Sequence, residues 1–283
     1  MLRKVSKPLR AFIERQEIDN TSISVSCGYD LLRVSYGGGD ILYAKNDEAV
    51  KFYEDRYPIR EALILYGDHY DSEAFNDLAW ILKNSKLQLI VSKFFKKFEL
   101  VLKSLKHQIS VQWLELRPEH PDNVLAILPY LKSGCLKNIS IDGKGVQDDW
   151  TSDENRRKVE RIIQLDQWKQ AEELVLLDSL RQFPYEVFVQ FKTYWVKTWT
   201  LNQLELAYIG IKFTASPIFE HCRFDIKYPA EVDDFIDFIG VAGPLTEKYR
   251  SVRHLMIPNT DKLLVFKEFT FRDIEIEKKT RDA

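Results

Sequence analysis

The sequence predicts an α/β fold in which short strands alternate with helices, and three observations carry that expectation. An apolar-x-apolar strand signature recurs at Leu114/Leu116, Ile139/Ile141, Leu174/Leu176 and Phe224/Ile226, each time after a helical stretch. Helix-period apolar stripes fill the intervals between those signatures. Near both ends of the chain the pattern changes to strict alternation, the mark of β-hairpins. A unit of one strand and one helix buries its apolar face only against neighbouring units, which is the logic of a solenoid. The spacing is too uneven for a regular leucine-rich repeat. The expected architecture is therefore an irregular leucine-rich-repeat-like arc, with short N-terminal helices and a flanking β-hairpin. A compact α/β sheet is the alternative.

Each element has its own justification. Residues 2–16 place Leu2, Val5, Leu9, Phe12 and Ile13 at helical spacing, broken near Ser6 and restarted with Pro8 in a first turn. Residues 23–27, 31–36 and 41–43 alternate apolar and polar side chains, and the glycine run Gly37-Gly38-Gly39 supplies a turn between the last two. That run lacks the GxxxxGK[ST] pattern, so it reads as a hairpin turn and not a phosphate loop. Asp71 or Ser72 caps a helix carrying Phe75, Leu78, Ile81 and Leu82. A second helix near 92–106 carries Phe94, Phe98, Val101, Leu102 and Leu105, and residues 109–116 follow as a strand.

Asp122 opens a helix that stops near Pro129, with Gly134 as its C-terminal cap, before a strand at 136–141. Thr151-Ser152-Asp153-Glu154 is a capping-box pattern opening a helix through Val159, Ile162 and Ile163. Residues 173–177, 194–199 and 219–226 read as strands. Residues 202–214 read as a helix, although Ile209 and Ile211 also suit a strand. Residues 263–271 and 273–277 form a closing hairpin. The expected divisions are 1–16, 17–69, 70–226 and 227–283.

Composition excludes several classes of function. The 283 residues include 41 basic and 43 acidic side chains, a net charge of −2, so no global field favours nucleic acid or anionic lipid. The aromatic share of 13% and the apolar share of 45% are those of a globular chain. Cys27, Cys135 and Cys222 are odd in number and far apart, which encodes neither a zinc ribbon nor a disulfide framework. No apolar stretch approaches the ~20 residues of a membrane helix, and the first residues, charged but followed by no apolar h-region, do not read as a signal peptide. An intracellular location, cytoplasmic or nuclear, follows as the expectation.

No constellation announces chemistry. Lys93-Phe94-Phe95-Lys96-Lys97-Phe98 interleaves basic and aromatic residues, but its phenylalanines fall on a buried helical stripe and its lysines mostly elsewhere. His69, His107, His120, His221 and His254 form no HExxH and no i,i+4 pair. His221 and Cys222 are adjacent on a strand and so face opposite sides. No GxSxG occurs, and the pairs Asp148-Asp149 and Asp233-Asp234 sit in polar stretches that read as loops or caps. The expectation is no catalytic residue, no metal and no cofactor; a deep pocket collecting acidic or histidine side chains would revive an enzyme.

Four segments carry a resemblance. Phe75-Asn76-Asp77-Leu78-Ala79-Trp80-Ile81-Leu82-Lys83-Asn84, Ile127-Leu128-Pro129-Tyr130-Leu131-Lys132-Ser133-Gly134-Cys135-Leu136, Leu165-Asp166-Gln167-Trp168-Lys169-Gln170-Ala171 and Phe219-Glu220-His221-Cys222 resemble, in order, motifs of the FTH domain of nematode F-box proteins (F-box A type). Leu2-Arg3-Lys4-Val5-Ser6-Lys7-Pro8-Leu9-Arg10 is similar to the final third of an F-box, the module that docks on a Skp adaptor. The resemblance implies a non-catalytic substrate-recruiting subunit of a Skp–cullin ubiquitin ligase, with Leu2, Val5, Leu9 and Phe12 as the adaptor-facing remnant. Adaptor docking is then in question, because the family's first helices are not in this sequence. The alternative is a free-standing binding module that competes with full-length relatives. Tyr194, Trp195 and Trp199 are the candidate target-binding residues, since alternating strand positions are all buried only where both faces are covered; core packing is the competing role.

Overall fold

A computed structural model of the chain describes residues 23–27, 31–36, 39–46, 62–66, 87–92, 95–105, 107–143, 152–178, 189–198, 200–227, 241–243, 251–270 and 272–281, with single positions at 50, 75, 78, 82, 150, 183, 184, 187 and 249. The expected helices of residues 2–16, the Gly37-Gly38 step, Trp199, His69 and both Asp pairs lie outside these. The chain divides into two compact units, residues 1–137 with 164–170, and residues 138–163 with 171–283.

The first unit holds a mixed sheet. In chain order its strands are β1 (Ile23–Cys27), β2 (Leu31–Tyr36), β3 (Gly39–Ala44), β4 (Ala62–Tyr66), β5 (Leu87–Val91) and β6 (Val111–Leu116), laid out as β6-β5-β1-β2-β3-β4. The β1–β2 and β2–β3 pairs are antiparallel, as the alternation predicts, while β1–β5, β5–β6 and β3–β4 run parallel. Leu31, Leu42, Ala44 and Val50 form an apolar cluster against this hairpin. On the hairpin, Arg33 grips the buried Asp40 through two bonds of 2.8 and 2.6 Å, a planar fork-to-carboxylate fit that holds the register.

Helix α1 (Phe95–Ser104) buries Phe95, Phe98 and Leu102 and exposes Lys96 and Lys97, so its aromatic residues belong to the core and its lysines to solvent. Phe98 meets Phe75 edge-on at 6.2 Å, and the Leu82 amide donates to the Leu78 carbonyl at 2.9 Å, a helical bond within the expected 71–84 helix. Pro121 starts the short helix α2 (Pro121–Leu125), where the Asn123 amide oxygen accepts from the Glu119 and His120 backbone. The helix expected to run from Asp122 to Pro129 is shorter: it ends at Leu125, and a 3-10 turn over Leu128–Tyr130 ends at Leu131. Gly134, expected as the cap, instead takes a left-handed φ of +77° in the following turn, where the Cys135 amide donates to the Lys132 carbonyl at 3.4 Å.

The second unit is built on strands β7 (Asn138–Asp142), β8 (Glu173–Leu177), β9 (Thr193–Thr198), β10 (His221–Ile226), β11 (Val241–Ala242), β12 (Ser251–Met256), β13 (Lys262–Thr270) and β14 (Asp273–Thr280), in the order β7-β8-β9-β10-β14-β13-β12-β11. The β7–β10 run is parallel; from β10 onward every pairing is antiparallel. Parallel neighbours need a crossover, supplied between β7 and β8 chiefly by helix α3 (Asp153–Gln164) and between β9 and β10 by helix α5 (Gln203–Ala215). Ser152 caps α3, its hydroxyl accepting from the Asn155 amide at 3.4 Å.

The short helix α4 (Asp166–Lys169) belongs to the first unit. There the buried Gln167 donates its amide to the Leu131 carbonyl at 2.8 Å, and Trp168 is fully buried beside it in sequence. The Gln-Trp pair thus anchors this turn to the Ile127–Leu136 segment. Among the described residues no helix is long and apolar enough to cross a membrane.

Candidate functional site

Helix α5 begins with a reciprocal cap. Asn202 accepts from the Glu205 amide at 2.8 Å, and the Glu205 carboxylate accepts from the Asn202 amide at 3.0 Å. Inward, Leu206, Ile209 and Phe213 are fully buried. Gly210 lets the helix lie close to the sheet, because a Cβ there would stand 3.0 Å from the Phe266 ring. Outward, the same helix carries Leu204, Tyr208 and Ile211, exposed by 83%, 41% and 60%. These occupy i, i+4 and i+7, one continuous stripe, and Ile218 beyond the helix end is exposed as well. Such an all-round apolar helix is normally covered on both sides. Here one side is covered by the sheet and the other is open.

The core beneath α5 is aromatic. Phe213 and Phe219 stack at 3.8 Å between ring centroids, and Tyr194 meets Phe191, Phe213 and Phe219 at 5.7, 5.5 and 6.2 Å. The Tyr194 hydroxyl accepts from the Phe191 amide and donates to the Val187 carbonyl, both at 3.0 Å. Burial pushes its phenol well above the usual tyrosine range, so it remains a donor. Tyr194 is therefore enclosed in the core and offers no surface to a partner. Burial likewise pushes the Cys222 thiol up, which keeps this thiol an inert core group.

Trp195, the next residue, points the other way and is 45% exposed. In register beside it are Val175 on β8 and Arg223 on β10, followed by Glu275 on β14 and Lys267 on β13. This outer face of the sheet is laced by ion pairs. Arg223 meets Asp273 at 3.1 Å, His221 meets Glu275 at 2.7 Å, and Lys197 meets Asp225 at 3.6 Å. Lys267 pairs with Glu277 and, at 3.7 Å, with Glu275; Lys279 meets Glu277 at 3.1 Å. Burial works against the Lys267 charge, but the hydrogen bond and charges of Glu277 and Glu275 outweigh it and hold the ammonium above its ordinary range. Glu277 shows the converse: burial is overcome by Lys267 and Lys279, and its carboxyl is held below its ordinary range.

His221, Glu275 and Glu277 could bring three ligand atoms within 4.8 Å of one another. Lys267 already neutralises both carboxylates, so the trio fits an ion-pair network better than a cation site.

Of the residues singled out by sequence, Trp195 lies on the surface, Tyr194 lies in the core, and Trp199, Leu2, Val5, Leu9 and Phe12 lie outside the described residues. The α5 stripe and Arg223 were not singled out. The signal for the first was present in Leu204, Tyr208 and Ile211, which cannot share one face with Leu206, Ile209 and Phe213.

What these surfaces define is a mixed α/β protein with an open apolar helix stripe and an aromatic, ion-paired strand face. A model of the FTH domain matches residues 92–238, just over half of the 283 residues, and the chain belongs to the FTH-domain family. Neither the curated proteins nor the solved structures give a significant match.

Proposed function

We propose that this chain is a non-catalytic protein-interaction protein whose FTH domain binds a protein target. The observation that carries this reading is the outward stripe of α5, where Leu204, Tyr208 and Ile211 stay exposed on a helix whose other side is already packed. Apolar surface of that kind marks protein contact sites. The occupant it suits is an amphipathic segment that lays its own apolar face along the helix. Trp195 beside Arg223 is a second candidate anchor, since tryptophan and arginine are the residues that most often dominate binding energy.

The finer reading follows from the family. As in the nematode F-box/FTH proteins it resembles, the chain would recruit its target to a Skp–cullin ubiquitin ligase, in the cytoplasm or nucleus. Leu2, Val5, Leu9 and Phe12 would form part of the adaptor-facing surface. The parallel β7–β10 run is the part we read as leucine-rich-repeat-like. Mixing the chain with purified Skp-type adaptor tests the ligase role. One-to-one co-elution on size exclusion supports it. Absence of a complex, restored by grafting a complete F-box, identifies instead a free-standing binding module.

A further inference from the structure

Where α5 ends, a cavity of ≈ 390 Å³ opens between the turn after the helix and the free ends of β13 and β14. Its walls include Lys192, Pro217, Ile218, Glu220 and, from the closing hairpin, Lys262, Lys278 and Lys279. We propose that this cavity binds a phosphate monoester, its dianion among Lys192, Lys262 and Lys278 and its organic stem against Pro217 and Ile218.

The first argument is charge. Lys192, Lys262 and Lys278 stand against Glu220 around the cavity in a chain whose overall charge is −2, while Lys279 borders it from the other face of β14, beside Glu277. The second is convergence. Lys262 lies opposite Thr280, two residues from Lys278 on the same face of the hairpin, so both ammonium groups are delivered to one wall. Lys278 donates to the Ser216 carbonyl at 2.6 Å, where the cation offsets the negative end of α5. Burial, and then the neighbouring charge of Lys262, pull the Lys278 pKa below its ordinary value. Like charges held together in a cavity are relieved by an anion placed between them.

The third lysine is adaptable. Lys192 meets Glu172 at 3.6 Å, and both side chains are partly exposed. Pairs of that kind hold their partners weakly and can turn toward a ligand. A carboxylate would bring one charge to this site and a phosphate monoester brings nearly two. The volume lies within the range of small-molecule sites and exceeds what a bare phosphate fills, leaving room for a stem.

The test is calorimetric titration of the full chain at low ionic strength with phenyl phosphate, inorganic phosphate, and a phosphotyrosine peptide beside its unphosphorylated twin. Phenyl phosphate is expected to bind one-to-one and more tightly than inorganic phosphate, with affinity falling as salt rises. Lys192→Gln with Lys262→Gln is expected to weaken it about tenfold or more, consistent with the loss of charge-assisted contacts. Lys262→Arg should retain binding. These variants leave the Lys278–Ser216 bond in place, so circular dichroism should match the parent chain. A phosphopeptide tighter than phenyl phosphate assigns the site to a modified protein segment; equal affinities assign it to a small ester. Absence of saturable heat with phenyl phosphate up to about 10 mM, or affinity unchanged in the double variant, overturns the proposal. It stands independently of target binding at α5, which these ligands do not probe.

Discussion

Tyr194 and Trp195 are neighbours in sequence and opposites in environment. The β9 pleat turns one hydroxyl toward Val187 and Phe191 and leaves one indole in solvent. Tyr194→Phe keeps the ring and strands a buried amide and a buried carbonyl, so we expect a loss of about 1–3 kcal/mol in urea unfolding. An unchanged midpoint would contradict the role given to the hydroxyl. Lys267 makes a second prediction, dependent on pH. The raised Lys267 pKa means its contribution is complete below the ordinary value of 10.5 and is lost as pH rises through the folded value. The depressed Glu277 pKa means its contribution is present above the ordinary 4.5 and is lost as pH falls through the folded value. Lys267→Met should therefore destabilise by about 1–3 kcal/mol at pH 7. That deficit should shrink in acid as Glu277 takes up its proton. A deficit independent of pH would mean that lost packing, not charge, is the cause.

At the scale of elements, alternation and capping made most of the fold legible. The hairpins at 31–44 and 262–280, the 153–164 helix and the strands at 173–177 and 193–198 follow from side-chain period alone. The helix-or-strand ambiguity at Ile209 and Ile211 resolves as helix, and the reason is local: the reciprocal Asn202–Glu205 cap fixes the start. Strands β4, β5 and β12 are absent from the sequence reading: β4 and β5 are short, nearly continuous apolar runs that periodicity does not separate from a buried helical turn, and β12 (Ser251-Val252-Arg253-His254-Leu255-Met256) alternates only weakly. The ion-paired face was not legible either, since His221 and Glu275 stand 54 residues apart and meet only through sheet register. For α5, Leu204→Lys with Ile211→Lys should change stability by less than about 0.5 kcal/mol, because both side chains are mostly in solvent. A larger loss on urea unfolding would assign the stripe to packing within the chain.

For the whole molecule, the FTH motifs carried most of what was legible about function, and the structure gives those motifs physical work. Gln167 and Trp168 tie a turn to the Leu131 segment, and Phe219 and Cys222 fill the core where α5 passes into β10. These are positions that hold the domain together. The surfaces we propose for a partner are elsewhere, on the outer side of α5 and beside Trp195, where side chains are exposed and residue identity is free of the core's demands. That separation explains why motif matching finds the family and says little about the target. The measurement that tests the account most directly compares affinity capture by the parent chain with capture by the Leu204→Lys, Ile211→Lys variant, with Trp195→Ala as a separate arm. Each protein that distinguishes them would then be purified and titrated. The account predicts a partner that binds the parent chain one-to-one and loses about tenfold or more in affinity when the α5 stripe is charged. Identical partner sets and identical affinities for parent and α5 variant would contradict it.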